Sequence, residues 1–263
     1  MKVPRRPGLV LYIAIQRKDW GSPDTRETWA MSEASVDLFS GMGGFALAFA
    51  SIACPVMYCD KCPNARATLS RLMSLGKLPT APIIDDVLNT TGILHAVGAT
   101  PVRLLTAGFP CTGISLAGKR EGLNNPGSAL FWAMMDIVRR LNPDHVFLEN
   151  VPSITSMQGG EVLCTVLGAL RETGYACSWT LKSASDVGSP QVRRRWFLLA
   201  SRSGCDPLPT LRFRSSDFWT ATERPSLAAI KCSEFVQRYA LLGNAMVPQA
   251  VRAAFATLSG CGA

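Results

Sequence analysis

Residues Ser35–Ser51 read SVDLFSGMGGFALAFAS, and this stretch decides the fold. Ser35–Phe39 has the apolar character of a short buried strand, Ser40–Gly44 is a glycine-rich turn, and an apolar helix follows from about Phe45 to Ser51. Strand, glycine turn and helix together form a corner at which the backbone can approach a nucleotide-type ligand closely. Gly41, Gly43 and Ala46 match the loose GxGxxA spacing.

Outward from this corner the same alternation continues. Pro55–Cys59 reads as a second strand ending at Asp60, a position from which a carboxylate can accept hydrogen bonds from ribose hydroxyls. Ala65–Leu75 reads as a helix, Pro82–Val87 as a third strand end carrying Asp85 and Asp86, and Asn89–Val97 as a helix. The run Val102–Ala107 passes into the loop AGFPCTGISLAGKR, residues 107–120. Gly122–Gly127 is turn-rich and Ser128–Leu141 is an amphipathic helix. His145–Leu148 is a buried strand ending in Glu149-Asn150-Val151, and Glu161–Thr173 is helical. Ser178–Ala184 and Arg195–Ser201 read as strands, joined by a segment whose Gln191, Arg193 and Arg194 form a cationic cluster with Arg195. A final helix spans about Gln249 to Leu258. Alternating strands and helices imply an α/β fold with a mostly parallel sheet and helices on both faces. The glycine spacing alone fits NAD or S-adenosylmethionine equally.

Composition limits the function classes. The 263 residues are 48% hydrophobic and 17% charged, enough for one large folded α/β domain. No apolar run could span a bilayer, and Leu9–Ile15 lacks a following cleavage pattern, so neither membrane insertion nor export is expected. Nine cysteines without framework spacing imply a reducing, intracellular compartment. A formal charge of +8 favours a polyanionic partner. Cys59 and Cys62 form a lone CxxC with only two histidines in the chain, so they read as ordinary thiols flanking Asp60 and no metal is expected. Arg212, Phe213, Arg214, Phe218 and Trp219 mix cations and aromatic rings, as a nucleic-acid surface does.

Two side chains could carry covalent or acid–base chemistry. Cys111, after Pro110, follows a strand's carboxyl end, where ligands of open α/β sheets bind; read alone, it could equally be a small buried hydrophobe. Glu149 is a carboxylate at a second such strand end.

In this order the motifs resemble those of the C5-cytosine-specific DNA methyltransferase family. DLFSGMGG from Asp37 resembles the cofactor motif, and GFPC with Ser115 and AGKR the nucleophile loop. ENV at Glu149, the QxRxR pattern of Gln191, Arg193 and Arg195, and GNA at Gly243 complete the series. Thr112, Asp60 and Gly127 depart from the residues usual in the family. The resemblance implies a Rossmann-like, S-adenosylmethionine-dependent methyltransferase fold with a small target-recognition segment. It divides the chain into an arm (1–34), a catalytic domain (35–201), a short recognition segment (202–239) and a closing motif and helix (240–263).

It implies Cys111 as nucleophile toward cytosine carbon 6, with Glu149 at ring N3, Asn150 positioning Glu149 or the loop, Arg195 on the base carbonyl and Arg193 supporting the loop. S-adenosylmethionine would lie on Phe39, Gly41 and Gly43, with Asp60 on ribose, Asp86 near adenine and Asn244 near the methionine end. Ser115, Lys119, Arg120, Gln191, Arg212 and Arg214 would meet double-stranded DNA, mostly at phosphates. The recognition segment has room for few base contacts, so a partner protein or subunit could supply specificity. The compartment would be the nucleus in a eukaryote and the cytoplasm in a bacterium or its virus. Methylation of RNA by the same chemistry, a catalytically silent DNA-binding homologue, and an NAD-linked oxidoreductase are the competing readings. The nucleophile loop, the presence of both Cys111 and Glu149, and the lack of further support for NAD weigh against them in turn.

Overall fold

Val36 and Leu38 alternate with Asp37 along β1 (Glu33–Leu38), so both faces of this strand are buried and both must be covered. The chain is described by a computed structural model, which covers residues 32–110, 126–189, 192–209, 211 and 246–260. β1 lies between β2 (Ala53–Cys59) and β4 (Leu104–Ala107) and is parallel to both. β3 (Ile83–Ile84) extends the sheet beyond β2, and β5 (His145–Asn150) extends it beyond β4, again in parallel. β6 (Tyr175–Ser183) and β7 (Arg194–Arg202) form an antiparallel pair, with β7 antiparallel to β5 as well. The strand order is β3-β2-β1-β4-β5-β7-β6. The order reverses between β1 and β4, which opens a crevice at their carboxyl ends.

Helices cover both faces of the sheet. α1 (Gly44–Phe49), α2 (Pro63–Ser74) and α6 (Pro248–Leu258) pack on the face that carries Tyr58, Leu104, Phe147 and Phe197. α3 (Thr90–Val97), α4 (Pro126–Leu141) and α5 (Glu161–Glu172) pack on the face of Val36, Leu38, Leu105 and Leu148. On the first face, Phe49 meets Phe255 of α6 edge-on at 5.2 Å and Phe147 of β5 at 5.4 Å. Such pairs contribute about 0.5–1.5 kcal/mol beyond their burial.

The α/β class, the mostly parallel sheet and the helices on both faces agree with the sequence reading, and several boundaries differ from it. The expected third strand, Pro82–Val87, shrinks to two residues. Pro82 cannot donate to a ladder, and the Asp86 carboxylate takes the Leu88 amide at 3.0 Å and bends the chain. β6 starts at Tyr175 rather than Ser178, because it pairs with β7 from Tyr175 opposite Arg202 to Ser183 opposite Arg194. Two short 3-10 turns, Pro152–Thr155 and Met157–Gly160, fill a stretch that the sequence leaves unassigned. Arg202 closes β7, and Leu208 and Leu211 are buried in the α1–α6 layer, so the first residues of the 202–239 interval pack on the sheet. Among the described residues no helix is long and apolar enough to cross a membrane.

Asp37 is a carboxyl in the middle of this apolar layer, 1% exposed. Thr106 Oγ1 donates to one of its oxygens at 2.8 Å, and the other has no hydrogen-bond partner. Burial pushes its pKa up to about 7; the Thr106 bond opposes the shift and the charge of Asp60 adds to it. The folded chain therefore keeps a proton that the unfolded chain, with a carboxyl near 3.8, has released. The folded state binds more protons between those two values, so stability falls as pH rises from about 4 to about 7, by of order 4 kcal/mol. Asp37→Asn should remove this component. In urea titrations the wild type should lose stability relative to the variant across that window, and a difference independent of pH would show that Asp37 titrates normally.

Candidate active site

The crevice begins at the glycine corner. Gly41 and Gly43 have φ of +55° and +78°, a conformation that strains any residue with a side chain, and a Cβ on Gly43 would also have to displace the tip of Leu78, 2.6 Å away. Phe39 holds φ +54° without being glycine, a conformation that costs about 1–3 kcal/mol and concentrates at ligand sites. Ser40 fastens the turn to β2: its Oγ donates to Asp37 O at 2.6 Å and accepts from Cys59 N at 3.1 Å. Asp60, directly after β2, accepts from Gly41 N at 2.7 Å and from Cys62 N at 2.8 Å. Its carboxylate is thus locked against the corner. Of the CxxC pair, Cys59 is buried and Cys62 is exposed.

Beside the corner lies an open pocket lined by Phe39, Cys59, Asp60, Lys61, Asp86, Val87, Pro110 and Leu130. Apolar walls with acidic groups at the rim suit a nucleoside, whose faces are apolar and whose hydroxyls and amino group donate. Asp86 pairs with Lys61 at 3.1 Å; the Leu88 amide is the main cause that holds its carboxyl below the usual range, burial opposes it, and Lys61 adds to the lowering.

The second half of the crevice is built by β4, β5 and β7. β4 runs out into Gly108, Phe109 and Pro110. Asn150 Nδ2 donates to Phe109 O at 2.7 Å, and Asn150 Oδ1 accepts from Val151 N at 2.8 Å, so this side chain ties the end of β5 to the start of the loop. Because β7 runs antiparallel, its first residues reach the same edge, with Trp196 opposite Asn150. Arg195 Nε lies 2.9 Å from Glu149 Oε1, the two side chains being 21% and 14% exposed. Burial pushes the Glu149 carboxyl above the usual range, while the charges of Arg195 and Arg193 pull it back. Such a group can hold a proton and hand it to a ring nitrogen, beside a cation suited to a carbonyl oxygen.

Phe39, Gly41, Gly43, Asp60 and Asp86 therefore gather around the corner and its pocket, and Glu149, Asn150, Arg193 and Arg195 around the ends of β5 and β7. Cys111, Ser115, Lys119, Arg120, Gln191, Arg212, Arg214 and Asn244 lie outside the described residues. Sequence reasoning passes over Met246. A Cβ built on Gly44 would lie 2.8 Å from Met246 Cβ, and one on Gly108 would lie 3.5 Å from its Cε. The methionine bridges the two halves of the crevice, and its place directly after Gly243-Asn244-Ala245 is the signal that could have marked it.

Comparison with known proteins gives a consistent result. A family model described as C-5 cytosine-specific DNA methylase matches residues 34–237. The chain is 31% identical over 230 residues to the type II methyltransferase M.CviJI of Paramecium bursaria Chlorella virus, a match covering 87% of this chain and 60% of that protein. It is 32% identical over 168 residues to the type II methyltransferase M.HhaI of Haemophilus parahaemolyticus, covering 64% of this chain and 49% of that protein. The chain thus spans about half to three-fifths of the length of these relatives. Among solved structures, the S. pombe Dnmt2 methyltransferase superposes with a TM-score of 0.51 at 22% identity, over 65% of this chain and 51% of that one.

The partly buried ion pair makes a titration testable. Replacing Arg195 by Ala removes a charge that holds the Glu149 carboxyl down and leaves its desolvation in place, so Glu149 should protonate at a higher pH than in the wild type. Carbon-13 NMR of labelled glutamate reads this directly. An unchanged titration would mean that the pair is broken in solution.

Proposed function

This chain belongs to the C-5 cytosine-specific DNA methylase family, with the Rossmann-like fold of S-adenosylmethionine-dependent methyltransferases, and from that premise we propose that it methylates carbon 5 of cytosine in double-stranded DNA. The observation that carries the proposal is the partly buried Glu149–Arg195 pair, set at the end of β5 beside the loop that leads into Cys111.

The pocket residues fit the cofactor. In this reading Asp60 accepts from ribose hydroxyls and Asp86 from the adenine amino group, with Phe39, Gly41 and Gly43 forming the corner beneath; that Phe39, Asp60 and Asp86 line one pocket supports it. Asn244 serves the methionine end. When bound, S-adenosylmethionine supplies an electrophilic methyl group.

Carbon 5 of cytosine is a poor nucleophile while the ring is aromatic. Cys111, the residue after Pro110 in sequence, adds as thiolate to carbon 6 and makes carbon 5 enamine-like. Glu149 delivers a proton at N3 and accepts from the exocyclic amino group, which draws electrons from carbon 6. Arg195 turns from Glu149 toward the base carbonyl, Arg193 adds positive charge to the same edge, and Asn150 fixes the loop through Phe109 O. After methylation Glu149 takes back the N3 proton, solvent water accepts the proton from carbon 5, Cys111 leaves carbon 6 as thiolate and the ring is restored. A base inside a duplex exposes none of these atoms, so it must be flipped out, at a cost of a few kcal/mol. Ser115, Lys119, Arg120, Gln191, Arg212 and Arg214 hold the flanking DNA, chiefly by its phosphates. The short 202–239 interval supplies few base contacts, so binding depends strongly on salt and weakly on sequence unless the amino-terminal arm or a partner subunit adds contacts.

DNA carrying 5-fluorocytosine should trap the wild type covalently in the presence of S-adenosylmethionine, since fluorine does not leave as a proton does. Cys111→Ala should form no such adduct on a denaturing gel and should show no turnover. A trapped or active alanine variant would exclude Cys111 as nucleophile. Separately, Glu149→Gln should slow single-turnover methylation by about 10²–10⁴-fold, the usual contribution of an acid–base group. An unaltered rate would reduce Glu149 to a packing role.

A further inference from the structure

α1 has six residues, no side-chain cap at its start and no basic residue of its own in its last turn. A helix this short is not stable alone, and its last carbonyls have no partners within it. The segment 246–258 meets both of its ends. Met246 packs against Gly44 so closely that a Cβ on the glycine would lie 2.8 Å from Met246 Cβ. Further along, Arg252 Nε donates to Ala48 O at 2.8 Å and Nη2 donates to Leu47 O at 3.0 Å. Two donors of one planar fork therefore meet consecutive carbonyls at the carboxyl end of α1, where positive charge is also favoured by the helix dipole. Just past the second contact, Phe255 of α6 packs on Phe49, the last residue of α1.

We propose that Arg252 is a positioning residue for the cofactor corner: it fixes the far end of α1 and, through that helix, the Gly41–Gly43 turn. The turn has little side chain of its own to hold it. Its orientation is set from one side by Ser40 and Asp60, and from the other by α1. Loss of the guanidinium leaves the Leu47 and Ala48 carbonyls without these donors and frees the helix to shift. The catalytic groups on β5 and β7 rest on other contacts, so binding of the methyl donor should suffer while the chemical step should not. This inference rests on the methyltransferase reading of the corner.

The test is calorimetric titration of S-adenosylmethionine into the full chain, with steady-state kinetics on duplex DNA. Arg252→Ala should weaken donor binding about tenfold or more, as loss of charged hydrogen bonds implies. Binding stoichiometry, kcat at saturating donor and KM for DNA should stay close to wild type. Arg252→Lys, which keeps the charge and at least one donor, should recover much of the affinity. Should Arg252→Ala not fold, Arg252→Gln is read in the same way. Unchanged donor affinity, reduced stoichiometry at unchanged affinity, or a fall in kcat without a change in KM for the donor would each overturn the proposal. A wild type that binds no S-adenosylmethionine would overturn the methyltransferase reading and this inference with it. A wild type that binds normally beside an unaffected Arg252→Ala would overturn this inference alone.

Discussion

Strand direction is the constraint on which the site depends. β1 to β5 run parallel, so Phe39, Asp60, Asp86, Pro110 and Glu149 all follow or close strands at one edge of the sheet. The cation that Glu149 needs comes from β7, whose antiparallel course puts its beginning at that edge. Were β7 parallel, its nine residues would carry Arg195 to the opposite edge, roughly 30 Å away at the usual rise per residue. β6 pairs with β7 along its whole length and so braces the one strand whose direction matters most.

Burial acts on two carboxyl groups of this sheet with different results. Asp37 and Glu149 are both pushed toward the neutral form by desolvation. Asp37 faces a threonine hydroxyl and has one oxygen with no partner, so nothing cationic restores its charge. Glu149 has Arg195 in contact and Arg193 nearby, which keep ionisation within reach. A buried charge survives only with such compensation. The first group therefore gives up its proton near neutral pH at a cost in stability, and the second gives up its proton beside a cation at the crevice.

The parts of this design that depend on local chemistry are legible in the sequence. Gly41 and Gly43 announce a turn that needs positive φ, and apolar runs ending in Asp60, Gly108 and Glu149 announce strands that open at a crevice. The grouping of Arg193 and Arg195 with Glu149 follows from the resemblance, because no spacing rule joins residues on different strands. Phe39 is harder to read: nothing about a phenylalanine signals φ +54°, which is imposed by its surroundings. Arg252 is invisible for another reason. In the amphipathic pattern of α6 an arginine reads as a solvent-facing residue, yet its partners are two carbonyls some two hundred positions earlier in the chain.

That separation has a consequence for how the protein is made. Leu47 and Arg252 are 205 residues apart, and a ribosome adds about 5–20 residues per second, so α1 waits roughly 10–40 s for its clamp. During that interval Phe49 lacks the cover of Phe255, and the carbonyls of Leu47 and Ala48 have only water. Native contacts of this range form late and slow the search for the folded state. A nascent chain with its first strands already paired would still be unable to grip a ligand firmly, and would offer an aromatic surface to chaperones instead. The glycine corner is the earliest part of the site to be synthesised and the last to be finished.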